Sequence, residues 1–493
     1  MWNVMTLNGN MMREHVLRLL VLLFPGLTLC AQTSPKMGTD NANPVLDFLF
    51  TADPTSVEYE GRLYVYGTGD HEQYEKAEKN GYEKIKTLAM MSTGDMVNWT
   101  YHGLIPVGEL APWIINSWAP SIISRKEADG KTHFYLYFSN SGYGTGVLTA
   151  ESPVGPWKSP LQKSLVDAQT PGLGNCDVPF DPGAVIDDEG RGWITFGARH
   201  SRIAELGDDL ISVKSAYVPL PAQSHFEANE LNYINGTYVY TYNLDWEDHN
   251  DWTLSDEKPP RCCMSYMTSR TPLDSTSWHY ENMYLKNPGD FGYFEHSNNH
   301  THLHKFQGKW YLLYHTMMLQ RSFGTRGGFR SICVDEVAVD EERVHIDECT
   351  ATVRGVSQTR NLDPYMIQQA ETSAATQGIK FSQGDRAGNM TVERGTMSIT
   401  ASVPELGIIE LRGVDFGRRA KTFRVKASGR GMIKACLDSP EGPVLAEIPT
   451  DGAVMKDFST RCRKDKSFAG VHRLYFVITG DVVFDEWSFT GRK

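Results

Sequence analysis

Asp53, Asp181 and Glu227 each stand just ahead of an alternating apolar run: Asp53 in FLFTADPTSVEYEGRLYVYGT, Asp181 in PFDPGAVIDDEGRGWITFG and Glu227 in HFEANELNYINGTYVYTY. Alternation of period two between turn residues predicts a strand behind each. A fold that converges the starts of its strands brings the three carboxyls into one pocket. Such a trio can cleave a glycosidic bond: one carboxylic acid protonates the leaving oxygen, one carboxylate activates water, and the third holds the acid's pKa up. No single motif suffices, because Asp-Pro is ordinary turn chemistry, and Asp363-Pro364 repeats it with no strand behind. The order and context of the three together carry the reading.

Glu230 rivals Glu227 as the acid on composition alone; three residues apart on an extended segment, the two face opposite ways. His300, His302 and His304 alternate, so a strand sets them on one face. That spacing can bind metal, although histidines along a sheet face are more often held by hydrogen bonds. Asp70, Asp187, Asp188 and Asp245 read as turn or surface residues.

The elements that must position these groups are short. From about residue 45 to 350 there is almost no long helical periodicity, and β-rich runs recur between Gly, Asp and Asn turns. Three units close alike, with an apolar strand, a small hydroxyl residue, a turn and then Trp99, Trp157 or Trp278. Recurrence at roughly 50–70 residues predicts propeller blades of about four strands. Five units can be counted: Asp53 to Trp99, Trp118 to Trp157, the stretch around Asp181, Glu227 to Trp278, and NNHTHLHKFQGKWYLLYH to ICVDEVAVDEERV. The inner strands of a propeller all begin around one central cavity, where Asp53, Asp181, Glu227 and His300 would meet. Polar residues and Pro364 mark a linker over 353–365. Six or more short strands over 366–493 predict a β-sandwich. The expected fold is therefore all-β, a propeller over 45–352 followed by a jelly-roll-like sandwich.

A chain of 493 residues with 40% hydrophobic and 11% aromatic side chains supports more than one core. Its net charge of −12 argues against a nucleic-acid partner and suits a neutral polysaccharide. Residues 12–31, with Arg13 and Arg18 ahead of an apolar stretch broken by Pro25 and Gly26, predict an export signal cleaved near Ala31. The expected location is secreted or periplasmic; lipoprotein anchoring at Cys30 is the lesser alternative, because Leu29 is a poor match for the small residue such sites prefer. The stretch is too short and interrupted to span a bilayer, and no other segment is apolar enough. The seven remaining cysteines show no CxxC spacing, and their odd number argues against a disulfide framework. A bridge such as Cys436 with Cys462 stays open.

The stretches TADPTSVEYEGRLYVYGTGD, NSWAPSI, SPVGPW, FDPGAVIDDEGRGWITFG, FEANELNYINGTYVY, NNHTHLHKFQGKWYLLYH and GFRSICVDE, in that order, resemble glycoside hydrolase family 43. The resemblance implies a five-bladed propeller and an inverting enzyme acting on arabinose- or xylose-containing glycans. By the resemblance Asp53 is the general base, Asp181 the pKa modulator and Glu227, followed by the small Ala228, the general acid. The family often has Gly-Pro or Ala-Ser after the acid, whereas this chain has Ala-Asn. Trp118 and Arg330 are expected in the sugar-binding wall, with His300 pointing into the central cavity. The reaction needs no cofactor, and some members hold a calcium or a water cluster near the position of His300. QAETSAA, RGVDFG and FDEWSFTG make the C-terminal domain resemble a family 6 carbohydrate-binding module, although its only tryptophan, Trp487, is expected to be buried. The leading expectation is an α-L-arabinofuranosidase. A β-D-xylosidase or an endo-acting arabinanase or xylanase of the same fold is the near alternative, and a non-catalytic glycan-binding propeller the distant one. Fructan-cleaving propellers fit less well, since TADPTS lacks the Asn before Asp-Pro that they carry.

Overall fold

Five antiparallel sheets follow one another along the chain in the computed structural model, which describes residues 34–397 and 403–492. The expected export signal and Cys30 lie outside the described residues. The first blade holds Ala52–Tyr59, Arg62–Thr68, Leu88–Thr93 and Trp99–Ile105, and the second Trp118–Lys126, Thr132–Asn140, Gly144–Ala150 and Val166–Asp167. The third holds Gly183–Ile186, Gly192–Phe196, Arg202–Glu205 and Val218–Pro219. The fourth holds His225–Ile234, Thr237–Leu244, Met264–Ser269 and His279–Leu285, and the fifth the three strands Thr301–Phe306, Lys309–Thr316 and Ser331–Glu336. The first strand of each blade touches that of the next, and the fifth touches the first, which closes the ring.

Both faces of a blade are covered by its neighbours, so its middle strands read as near-continuous apolar runs such as FYLYF and WYLLY. In the second blade Phe134, Leu136 and Phe138 pack towards the first, while Tyr135 and Tyr137, one residue out of phase, pack towards the third. Side chains that alternate across a strand produce that division. The closing tryptophans Trp99, Trp157 and Trp278 are all buried. Trp99 opens the fourth strand of its blade, and Trp278 immediately precedes the fourth strand of another.

The second β-rich region is a nine-stranded assembly dominated by Arg419–Leu437 and Val471–Arg492, which pair along most of their length. Phe423, Phe476, Phe484, Trp487 and Phe489 fill its core, and Trp487 is buried. All seven described cysteines, Cys436 and Cys462 among them, are free and buried. The stretch 353–365 is packed rather than loose: the Thr359 N–H donates to the Asp95 carbonyl at 3.0 Å, and the Leu362 N–H to that of Gly413 at 2.9 Å. Beyond it, Thr372–Ser373 pairs with Trp99 and Thr100 as a fifth strand of the first blade. Phe381 and Met390 join the apolar cluster of Phe48 and Tyr101. The described residues thus form one compact unit. Among the described residues no helix is long and apolar enough to cross a membrane.

Candidate active site

Two of the three carboxyls of the site are aimed by interruptions in strands. In the first blade Ala52 pairs with Thr68 and Thr55 with Tyr66, which leaves Asp53 and Pro54 opposite the single residue Gly67. Pro54 has no N–H to give the ladder, and Asp53 takes a φ of 50°, a conformation Asp accepts more readily than most residues. Gly67 is required opposite, because a Cβ there would stand 2.6 Å from the Ala52 carbonyl oxygen. In the fourth blade Ala228, at φ 62°, and Asn229 bulge between the pairs Glu227–Asn243 and Glu230–Thr241. Asp181 repeats the φ of 50° before Pro182. Bulges of this kind re-aim side chains beside active sites. A Cβ on Gly183 would lie 2.5 Å from Cα of Glu230, so the inner strands of the third and fourth blades abut and carry Asp181 to the backbone behind Glu227.

The six residues singled out in the sequence, Asp53, Asp181, Glu227, Trp118, His300 and Arg330, line one cavity of about 80 Å³. Tyr82, Ala119, Phe180 and Asn298 complete it. Asp53 Oδ1 accepts from Arg330 Nη1 at 2.8 Å and Oδ2 from the Thr68 hydroxyl at 2.7 Å. His300 Nδ1 lies 3.7 Å from Oδ1. Nε2 of His315 donates to the Asn298 carbonyl at 2.8 Å, which leaves Nδ1 to accept the Asp53 backbone N–H at 3.2 Å. Burial pushes the Asp53 carboxyl up, but the Arg330 guanidinium beside it outweighs burial and holds the group far below the usual carboxylate range.

Asp181 Oδ2 accepts the Ala228 N–H at 3.0 Å, and Oδ1 accepts the Ser139 hydroxyl at 3.1 Å. Glu227 accepts a single bond of 3.3 Å from the Asn298 amide. Burial first, then the charge of Glu227, raises Asp181. Burial, partly opposed by Asn298, raises Glu227 to about 7. The pair therefore holds a proton near neutrality. That proton belongs on Glu227, since both oxygens of Asp181 are already occupied by donors. The cavity contains one carboxylate locked in its charged form and one carboxyl kept neutral, the pairing that acid–base catalysis requires.

Several expectations change. Arg330 lines the cavity with three of its five N–H groups committed to carboxylates: Nε and Nη2 to Asp70, at 2.9 and 2.8 Å, and Nη1 to Asp53. Asp70 is neither a turn nor a surface residue; it is fully buried. Asp187 sits in a turn but is buried, accepting from Trp193 Nε1 and the Tyr238 hydroxyl. Glu230 lies outside the cavity, its Oε2 3.1 Å from His302 Nδ1. Trp118 Nε1 donates to the Tyr82 carbonyl at 3.0 Å, which ties two walls together. Tyr82 and Asn298 were missed. Asn298 stood inside the motif NNHTHLH, where the histidines drew attention, and Tyr82 carries no local signal beyond its place in the long insertion after the first blade's second strand. Among the described residues no group of three or more His, Cys, Asp or Glu stands close enough to hold a metal ion.

The pattern of Glycosyl hydrolases family 43 matches residues 41–342. The chain is a family 43 glycoside hydrolase. It is 32% identical to an arabinoxylan arabinofuranohydrolase of Bacillus subtilis, over 97% of this chain and 98% of that one. It is 31% identical to an arabinoxylan arabinofuranohydrolase of Paenibacillus polymyxa, over 96% of this chain and 78% of that one. The fold superposes with a TM-score of 0.83 on the crystal structure of a family 43 arabinoxylan arabinofuranohydrolase from Bacillus subtilis in complex with cellotetraose, at 32% identity, covering 92% of this chain and 98% of that chain. That match spans both β-rich regions of this glycoside hydrolase.

Proposed function

We propose that this enzyme removes single arabinofuranosyl residues from arabinoxylan by one displacement with inversion. The observation that carries the reading is the opposite tuning of Asp53 and Glu227 within one cavity. Glu227 gives its proton to the glycosidic oxygen as the bond from the anomeric carbon to that oxygen breaks. Asp53 takes a proton from water as the water oxygen bonds to the same carbon from the opposite face. Both groups act as they stand near neutral pH. Asp181, bonded to the Ala228 N–H, fixes the backbone beside the acid and keeps a negative charge near it, which favours the protonated form.

The substrate follows from size and from kinship. A cavity of about 80 Å³ has room for about six waters at roughly 10–15 Å³ each, enough for a pentose ring and not for a run of them. That favours the removal of terminal or side-chain residues over internal cleavage. Both bacterial relatives are arabinoxylan arabinofuranohydrolases, which favours arabinofuranose over xylose. Trp118, His300 and the two uncommitted N–H groups of Arg330 form the sugar-facing wall.

We assign the sandwich a supporting role, because its strand Thr372–Ser373 completes the first blade. His300 Nε2 is buried without a hydrogen-bond partner. A calcium beside His300 would be held there largely through water, since calcium takes six to eight oxygens, and would supply fixed positive charge; hydrolysis needs no step through it. Export through residues 12–31 would place the enzyme with its polymer.

Assay on aryl α-L-arabinofuranoside, aryl β-D-xyloside, arabinan and arabinoxylan tests the substrate, with arabinose expected from the first and last. Proton NMR at early times tests the stereochemistry. A first-formed sugar of retained configuration, or xyloside cleavage without arabinofuranoside cleavage, would overturn the proposal.

A further inference from the structure

Asp70 is the first residue of the short helix Asp70–Lys76, in the insertion that follows the first blade's second strand. It is fully buried, and its two oxygens collect four hydrogen bonds. Oδ1 accepts from Arg330 Nη2 at 2.8 Å. Oδ2 accepts from Arg330 Nε at 2.9 Å, the Arg330 backbone N–H at 3.1 Å and Asn80 Nδ2 at 2.7 Å. The side-chain contacts are the two-pronged carboxylate–guanidinium pairing, which fixes the plane of the guanidinium as well as its position. Arg330 is itself buried, and its remaining prong, Nη1, reaches Asp53 Oδ1. Its guanidinium lies over the Tyr82 ring, 4.9 Å from the centroid.

A guanidinium held by one carboxylate alone can swing about that contact. Held by Asp70 on two prongs, it presents Nη1 to Asp53 from one direction. Asp53 Oδ2 is fixed from the other side by Thr68, so the lone pairs left for water point one way. We propose that Asp70 is a positioning residue of this hydrolase: acting through Arg330, it sets the orientation of Asp53 towards the attacking water. The same carboxylate holds Asn80, whose backbone N–H donates to the Gly327 carbonyl at 2.8 Å, and so ties the insertion carrying Tyr82 to the fifth blade. The inference rests on Asp53 being the base, as proposed above.

The test is a double-mutant cycle on aryl α-L-arabinofuranoside. Asp70→Asn keeps the shape of the side chain but puts an amide donor against donors. Misplacing a reacting group by about 1 Å can cost on the order of 10²-fold, so kcat is expected to fall about 10- to 100-fold with a smaller change in KM. In an Arg330→Ala background the same substitution should cost less than about twofold, because its effect passes through the arginine. Asn80→Ala, which removes one bond to Asp70 without altering charge, should lower kcat about threefold and is read in parallel should Asp70→Asn fold poorly. Wild-type kcat in Asp70→Asn or in Asn80→Ala would overturn the inference. So would an equal loss in both backgrounds, which would mean that Asp70 only supports the fold. Failure of the underlying reading is separate: full activity in Asp53→Asn would remove Asp53 as base while leaving the coupling of Asp70 to Arg330 measurable.

Discussion

Glu227→Gln should cost activity and raise stability, and both effects follow from the pocket. Burial lifts the carboxyl from 4.5 to about 7. Below pH 4.5 the group is protonated in the folded and the unfolded chain alike, and folding is indifferent to it. Between pH 4.5 and about 7 the unfolded chain releases the proton while the folded one retains it, so the wild type loses stability as pH rises, and the loss is complete above about 7. A gap of that size corresponds to about 3 kcal/mol. Water reaches part of the side chain, and screening leaves about 1–2 kcal/mol. Glutamine keeps an oxygen for the Asn298 amide and has no proton to lose, so it escapes the penalty. For a unit of this size the gain is about 2 °C in Tm. Thermal unfolding of both proteins at pH 4.5 and pH 8 is the assay, with the gain expected at pH 8 and absent at pH 4.5. A Gln variant no more stable than wild type at pH 8, or equally stabilised at both, would refute the account of a carboxyl held neutral by burial. Hydrolysis in the same variant should fall about 10²- to 10⁴-fold on natural glycosides and less on activated aryl glycosides, whose leaving groups need little protonation.

Asp53→Asn should abolish turnover of activated and natural substrates alike, since no leaving group replaces the base; preserved turnover of the aryl glycoside would reassign it. The pH–rate profile should fall on its alkaline side near pH 7, as Glu227 loses its proton. Asp181→Asn should move that limb to lower pH by removing the neighbouring charge, and an unmoved limb would show that burial alone tunes the acid. Deleting residues 366–493 should give an insoluble protein, because it strips the pairing strand from Trp99 and Thr100 and uncovers Phe48 and Tyr101; a soluble, active truncation would show the propeller to be self-sufficient.

The parts of this enzyme that sequence displays are those with a period or a local motif. Alternating runs announce the strands, and Trp99 and Trp278 mark where the fourth strands of two blades begin. Asp53-Pro54 and Glu227-Ala228 stand where two strands bulge, the first because proline has no N–H for the ladder. What the sequence hides is pairing between residues far apart in the chain. Asp70 and Arg330 are 260 positions apart, and nothing near Asp70 announces a buried partner; a GD dipeptide before a polar helix looks like a turn. Asn298 has no pattern of its own beside three histidines. The residues 353–365 look like a tether because they are polar and contain Pro364, yet their polar groups are spent on Asp95, Arg412 and Gly413.

Thr372–Ser373, lying as the outer strand of the first blade, also decides what kind of partnership the two halves can have. A module on a flexible tether raises the local concentration of substrate by an amount set by tether length and stiffness. Here there is no such length to vary, and the sandwich keeps one bearing from the cavity mouth. Any polymer that touched both would have to span a fixed interval, so chain stiffness and the spacing of branches would decide which glycans benefit, as with a gauge rather than a leash. Exchanging the sandwich for another module would mean cutting through a sheet, and a graft would have to bring its own strand for Trp99 and Thr100.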